Sequence, residues 1–311
     1  MRIVFMGTPE FAVPSLNALL ETGHQVCGVF CQPDKPVGRH QNKLQPPPVK
    51  VVAQEHDIPV FQPTKLRDGT ALTQLQEWNP ELIVVAAYGR ILPDEILHLP
   101  PKGCINVHSS LLPRYRGAAP IHWAIVNGDE ETGVTIMDMA TELDAGDIIS
   151  QVKTPIDSEE TVEMLHDRLA QLGGALLVQT VADIAAGTAV RTKQEANEVT
   201  YAPMLSRALC PIDWNRTAKE IHNQVRGLVP WPATSTDIFG GETVKVFSVC
   251  EPDLTTQKEA GTILAANQQG IDVACGDGKV IRILELQAPG SRRMAAADYL
   301  RGHPIKVDDQ A

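Results

Sequence analysis

RIVFMGTPEFAVPSLNALLETGHQVCGVFC, residues 2–31, opens the chain with the pattern that decides its fold. Residues 2–6 and 25–31 are short apolar runs, and the stretch 10–21 between them repeats its apolar side chains at helical intervals. The same alternation continues downstream. Residues 82–87, 104–108 and 133–138 read as apolar strands, and 117–127 (GAAPIHWAIVN) as a helix. Strands alternating with helices predict an α/β domain built on a mostly parallel sheet with helices on both faces. The turn after the first strand, GTPEFA at 7–12, has only the first glycine of G-x-G-x-x-G, which sets aside a nucleotide-dependent oxidoreductase.

The longest helical stretch is predicted over 159–186, entered through Glu159, Glu160 and Thr161. After about Thr188 the texture changes. Residues 190–205 hold no sustained apolar period and read as a linker. A helix is predicted over 215–228, with Ile221, Val225 and Leu228 at helical spacing. Strand-like segments follow at 234–239, 243–249, 262–265, 270–275 and 279–286, separated by turns, as expected of a small β-barrel. The expected organisation is a catalytic domain over 1–189, the linker 190–205 and a second domain over 206–311.

The 311 residues are 43% hydrophobic and 21% charged, an ordinary globular composition. A net charge of −11 argues against a lysine-coated nucleic-acid binder. The imbalance is uneven: residues 1–205 carry 15 basic and 25 acidic side chains, residues 206–311 carry 12 and 13. A polyanionic partner would therefore lie more easily along the C-terminal part. Six cysteines form no C-x-x-C pair and have no histidine at zinc-ligand spacing, so reduced thiols in the cytoplasm and no metal are expected. No apolar leader precedes the first strand and no run approaches the ~18 apolar residues of a membrane span, so a soluble chain away from membranes is expected. One loop runs against the charge of its domain. In QPDKPVGRHQNKLQPPPVK, residues 32–50, the stretch Lys35 to Lys50 carries four basic residues and no acidic one. Loops longer than ~12–15 residues without internal structure are usually functional or disordered.

The chemistry concentrates in GCINVHSSLLPRYRGAAP, residues 103–120. On a strand over 104–108, Asn106 and His108 share one face while Ile105 and Val107 take the other. At the C-terminal end of a strand in a parallel sheet, side chains face the crevice where ligands bind. An amide beside an imidazole can hold a developing oxyanion while moving a proton; a core histidine beside a capping asparagine would have the same spacing. Leu111 and Leu112 are expected as an apolar lip beside this pair, with Pro113 ending regular structure. Downstream, MDMATELDAGDIIS at 137–150 crowds Asp138, Glu142, Asp144 and Asp147 into a turn. A carboxylate beside His108 would favour its imidazolium, and spacing alone leaves open which of the four it is.

In sequence order, N-x-H at 106–108, SLLP at 110–113, RGAAP at 116–120 and LDAGDI at 143–148 resemble the folate-dependent formyltransferases. The resemblance runs over essentially the whole chain, through GTPEFAVPSL at 7–16, QPDKPVGR at 32–39, AAYGRILP at 86–93, VTYAP at 199–203 and IDW at 212–214. It implies a Rossmann-like domain followed by an OB-like barrel. It also implies transfer of a formyl group from the co-substrate 10-formyltetrahydrofolate to an amine, without a metal. Asn106 and protonated His108 would stabilise the tetrahedral oxygen. His108 would return a proton to the departing folate nitrogen, and Asp144 would tune His108 and relay a proton through water. Ser110, Leu111, Leu112 and Pro113 match the family's folate-contacting segment, and Arg90, Ile91 and Leu92 match a loop beside its pterin pocket.

The long basic loop, the YAP segment and the C-terminal domain are similar to the branch that formylates methionine esterified to initiator tRNA. Arg39 and Lys43 would then contact the tRNA acceptor end, and a monomer is expected. An amine on a sugar nucleotide or ribonucleotide is the alternative acceptor. Two departures from the pattern stand out. Ser109 replaces the usual glycine of the tRNA branch, where an ordinary backbone is expected. RHQNKL at 39–44 thins a basic run that is denser in many relatives, with Arg39 and Lys43 remaining.

Overall fold

The computed structural model describes residues 1–37, 43–305 and 307. By contacts the chain divides into two compact units. One comprises Met1–Pro120, Glu131–Pro155 and His166–Ala202; the other comprises Ile121–Glu130, Ile156–Leu165 and the chain from Pro203 onward.

In chain order as far as Ala202 the elements are β1 (Arg2–Gly7), α1 (Val13–Leu20), β2 (Gln25–Phe30), β3 (Lys35–Val37), β4 (Lys43–Gln45), α2 (Pro48–Glu55), β5 (Val60–Phe61), α3 (Thr70–Trp78) and β6 (Leu82–Ala86). Then come α4 (Asp94–Leu97), β7 (Cys104–His108), β8 (Arg116–Gly117), α5 (Pro120–Val126), β9 (Glu131–Asp138), β10 (Ile148–Pro155), α6 (Val162–Ala186) and β11 (Tyr201–Ala202). The first unit is built on a seven-stranded sheet in the order β10-β9-β7-β6-β1-β2-β5. Pairings from β5 through β7 are parallel, while β9 and β10 run antiparallel at one edge. The expected strands and the mostly parallel sheet are present; the edge strand β10 was not legible in the sequence.

Burial explains the apolar runs. Ile3 through Met6 and Leu82 through Ile83 are fully buried, and a strand covered on both faces has no polar side to show. Each such side chain contributes about 1.5–3 kcal/mol by leaving water. One face carries Val4, Met6, Ile83 and Val85 against Leu75, Trp78 and Ile96. Gly28 on β2 is required there, because a Cβ would sit 2.2 Å from the Trp78 ring. On the opposite face α6 approaches closely through two glycines: a Cβ at Gly173 would lie 2.9 Å from Val107 Cγ1, and one at Gly174 2.8 Å from the Pro14 carbonyl. Val107 therefore faces α6, and Asn106 and His108 face the other way.

Several boundaries differ from expectation for local reasons. The helix expected over 10–21 is a 3-10 turn, Glu10–Ala12, followed by α1, because Pro14 has no N–H and disrupts a continuous helix upstream. The long helix begins at Val162 rather than 159, since Asp157 Oδ1 accepts from Glu159 N–H and holds a turn there. By length and composition α6 is apolar enough to cross a membrane, contrary to the expectation above. Within the first unit its Leu169, Ala170, Leu177, Val181 and Ile184 are buried. The basic loop is not without structure: β3 and β4 pair antiparallel, Pro36 opposite Leu44.

The second unit adds α7 (Ala218–Leu228), β12 (Thr234–Thr236), β13 (Val244–Cys250), β14 (Ile263–Asn267), β15 (Gly270–Ala274), β16 (Val280–Gln287), β17 (Met294–Ala295) and α8 (Ala296–Leu300). Its six strands form an antiparallel sheet in the order β12-β13-β16-β15-β14, with β17 on β16. Among the described residues no pairing joins β12 to β14; the antiparallel sheet is consistent with the expected OB-like barrel, a fold that is partly open. α7 starts later than expected because Thr217 caps it: its Oγ1 accepts from Glu220 N–H while the Glu220 carboxylate accepts from Thr217 N–H. Ile221, Val225 and Leu228 are buried as their spacing predicts.

Candidate active site

β7 is paired without interruption, Asn106 opposite Met137 and His108 opposite Thr135, so their side chains share a face at its C-terminal end. His108 is 7% exposed. Its Nε2 lies 2.9 Å from the Tyr115 carbonyl oxygen, which can only accept, so Nε2 carries a hydrogen. Nδ1 then faces Asp144, 3.8 Å from Oδ2. Of the four acids whose sequence spacing left the choice open, Asp144 is the one beside His108. Asp138 instead pairs with Arg191 and Glu142 with Arg116. The Asp144 carboxylate is fixed by Gly117 N–H, 2.8 Å from Oδ2. Gly117 has φ +117, and a Cβ there would be 2.8 Å from the Ala202 carbonyl, so glycine is needed on both counts. Among the described residues nothing hydrogen-bonds the half-buried Asn106 amide, which leaves its donors available.

The segment after β7 is held from beneath. Thr135 Oγ1 donates to the Ser110 carbonyl at 2.6 Å and accepts from Leu112 N–H at 3.0 Å and Gln151 Nε2 at 2.8 Å. Gln151 Nε2 also donates to the Leu112 carbonyl. The expected leucine lip is thus half right: Leu111 is half-buried, but Leu112 is 3% exposed, drawn inward by these bonds. Pro113 is buried, and the Ser110 hydroxyl donates to the Arg114 carbonyl. Ser109 has no positive φ, so serine is accommodated as expected.

Matches to the "Formyl transferase" family model over residues 1–181 and to "Formyl transferase, C-terminal domain" over 204–304 account for most of the sequence. The chain belongs to the formyl transferase family. It is 50% identical to a methionyl-tRNA formyltransferase of Trichlorobacter lovleyi, over 98% of this chain and 95% of that protein. It is 47% identical to a protein of the same name from Geobacter sulfurreducens, with the same coverage. Among solved structures it resembles an N-formyltransferase of Helicobacter canadensis in complex with folinic acid and dTDP-3-aminofucose. That match has TM-score 0.68 and 20% identity, covering 92% of this chain and 98% of the other. HypX of Aquifex aeolicus with tetrahydrofolic acid matches at TM-score 0.66 and 18% identity, over 99% of this chain and 48% of HypX. At such identities these two neighbours speak for the fold.

The remaining expected positions that the structure describes lie at neighbouring strand ends or on β4. Arg90 Nε donates to Gln32 Oε1 at 2.9 Å, tying the loop after β6 to the end of β2. Ile91 is 69% exposed while Leu92 is buried in the core, so the two consecutive residues serve different surroundings. Lys43 is exposed on β4; Arg39 lies outside the described residues. Lys50, one of the loop's four cations, donates to both oxygens of Asp34 and to Gln62, which holds the Asp34 carboxyl below its ordinary range. Burial pushes the Cys104 thiol, at the start of β7, up to about 12, so it stays protonated. Among the described residues no group of three or more His, Cys, Asp or Glu side chains is placed to hold a metal ion. Sequence reasoning missed Tyr115, Thr135, Gln151 and Gln194. Only the β-branched run of β9 hinted at Thr135.

Proposed function

We propose that this chain transfers a formyl group from 10-formyltetrahydrofolate to the α-amino group of methionine on initiator tRNA, as a cytoplasmic monomer and without a metal. The observation that carries the chemistry is the arrangement around His108: a carbonyl at Nε2, a carboxylate at Nδ1 and an available amide two residues earlier on the same face. The relatives' name supports the acceptor.

The neutral α-amine, whose ordinary pKa lies near ~7.7–8.0, attacks the formyl carbon. A C–N bond forms and the carbonyl pair moves onto oxygen. Asn106 Nδ2–H donates to that oxyanion, and His108, protonated at Nδ1, adds positive charge. Collapse restores the carbonyl, breaks the bond to folate N10 and leaves N10 with the pair. One proton leaves the attacking nitrogen and one reaches N10, with His108 Nδ1 and Asp144 carrying it between them. Ser110 to Pro113, Arg90 and Ile91 line the folate side while Leu92 anchors that loop in the core, and Arg39 and Lys43 meet the acceptor end. Six free cysteines accord with a reducing compartment.

The test is formyl transfer from 10-formyltetrahydrofolate to initiator methionyl-tRNA, with free methionine and a sugar-nucleotide amine as competitors. Transfer confined to the charged tRNA is expected. Transfer only to a sugar amine would keep the chemistry and discard the acceptor, and no transfer to any of them would overturn the reading.

A further inference from the structure

The segment expected as a linker is bonded into the first unit. Thr200 Oγ1 accepts from Tyr115 N–H at 2.9 Å, the Thr200 carbonyl accepts from Arg116 N–H, and Thr192 pairs with Ile148. At its centre lies Gln194. Its Oε1 accepts from Arg116 Nε at 3.1 Å and Nη2 at 2.9 Å, and its Nε2 donates to the carbonyls of Asp144 and Gly146, each at 2.8 Å. A guanidinium can only donate and a carbonyl can only accept, so the orientation of this amide is fixed by its partners.

We propose that Gln194 is a positioning residue that holds the Asp144 loop at its working distance from His108. This rests on the reaction proposed above. Asp144 has φ +50, a left-handed conformation that an aspartate adopts at some cost and keeps only when its surroundings hold it. Gly117 fixes its carboxylate and Gln194 fixes its backbone. The Gly146 carbonyl is the second anchor, and Gly146 itself packs so tightly on Asp138 that a Cβ would fall 1.7 Å from the Asp138 carbonyl oxygen. Arg116, 7% exposed, fixes the other end of the amide. With Gln194 replaced, the loop loses both of its donors from this segment, while Asn106, His108 and the folate-contacting segment keep every bond described above.

The experiment compares Gln194→Met, which keeps the length and has no hydrogen bonds, with Gln194→Glu, which keeps the partner for Arg116 but presents oxygens to two carbonyls. A loss of about 10–100-fold in kcat is expected for both, by analogy with the residues that orient metal ligands, whose removal costs that much. KM for either substrate, and tetrahydrofolate affinity by calorimetry, should stay within about twofold, because an interaction acting through Asp144 affects the chemical step. Hydrogen exchange of the peptide covering 139–147 should accelerate in both variants. Wild-type kcat in Gln194→Met, or a raised KM at unchanged kcat, would overturn the proposal. So would wild-type kcat in Gln194→Glu, since pairing to Arg116 alone would then suffice. Wild-type protein that transfers no formyl group would refute the proposed reaction instead, and unchanged exchange at 139–147 would by itself refute the clamp.

Discussion

Replacing Thr135 by valine removes one hydroxyl and almost no volume. Thr135 is fully buried, and its hydroxyl uses its whole capacity: one hydrogen to the Ser110 carbonyl, two lone pairs to Leu112 N–H and Gln151 Nε2. In the valine variant Gln151 keeps the Leu112 carbonyl, but Leu112 N–H and the Ser110 carbonyl lose the partner that ties them to β9. An unsatisfied buried donor or acceptor costs about 1–3 kcal/mol, so two cost about 2–6 kcal/mol. For a unit of this size, at about 2–4 °C per kcal/mol, that lowers the thermal midpoint by about 4–24 °C. Thr135→Ser keeps the hydroxyl and loses a methyl, for about 1 kcal/mol. The assay is thermal unfolding of both variants beside wild type, with KM for the folate co-substrate read in parallel. KM should rise in the valine variant, because Ser110 to Pro113 are the segment released. A valine midpoint within 1 °C of wild type would refute the role of this hydroxyl as the hub of that segment.

Asp144→Asn retains a side chain that tolerates φ +50 and removes the charge beside His108, so kcat should fall by about 10²–10⁴-fold with little change in thermal midpoint; activity equal to wild type would show that His108 needs no carboxylate. The hydrogen bonds from Lys50 and Gln62 depress the Asp34 pKa, so the stability they confer is full above the unfolded value near ~3.9 and is lost as pH falls through the lower folded value. Thermal midpoints of wild type and Asp34→Asn should therefore differ steadily from pH 8 to 6 and converge in acid, and a gap that widens in acid would reverse the assignment. Lys43→Ala should weaken use of charged tRNA and lower the slope of log affinity against log salt by about 1, as loss of one phosphate contact requires; an unchanged slope would remove Lys43 from the interface.

What the sequence could reveal followed from periodicity. β7 was legible because alternation with apolar neighbours leaves two polar side chains on one face, and β1 and β6 because burial on both sides erases polar residues. The parts that escaped are held by hydrogen bonds between residues distant in sequence, which leave no period. Leu112 looked like a lip because, with Leu111, it follows the polar pair Asn106 and His108; it turns inward because Thr135 and Gln151, on β9 and β10, hold its N–H and carbonyl. β10 escaped because its sequence, IISQVKTP, carries only three apolar aliphatic side chains, although its exposure alternates from Ser150 to Pro155. Residues 190–205 read as a linker for want of an apolar face, yet Arg191 binds Asp138 at the end of β9, and Gln194 and Thr200 bind the loops that carry Asp144 and Tyr115.

Three residues other than glycine near this site, Ala87, Tyr115 and Asp144, have φ between +46 and +62. Each such residue costs on the order of 1–3 kcal/mol and persists only where neighbours over-determine it. For Tyr115 and Asp144 the compensating bonds are identifiable: Tyr115 N–H donates to Thr200 Oγ1, and the Asp144 carbonyl and carboxylate are held by Gln194 and Gly117. The outcome is the same at both positions. The left-handed turn at Tyr115 accompanies a carbonyl set against His108 Nε2, and the one at Asp144 accompanies a carboxylate set against Nδ1. The two nitrogens of one imidazole thereby acquire different partners, a backbone carbonyl at Nε2 and a carboxylate at Nδ1. A sequence read for apolar period locates the histidine; the division of labour between its nitrogens resides in two strained backbone positions and in the segment that keeps them there.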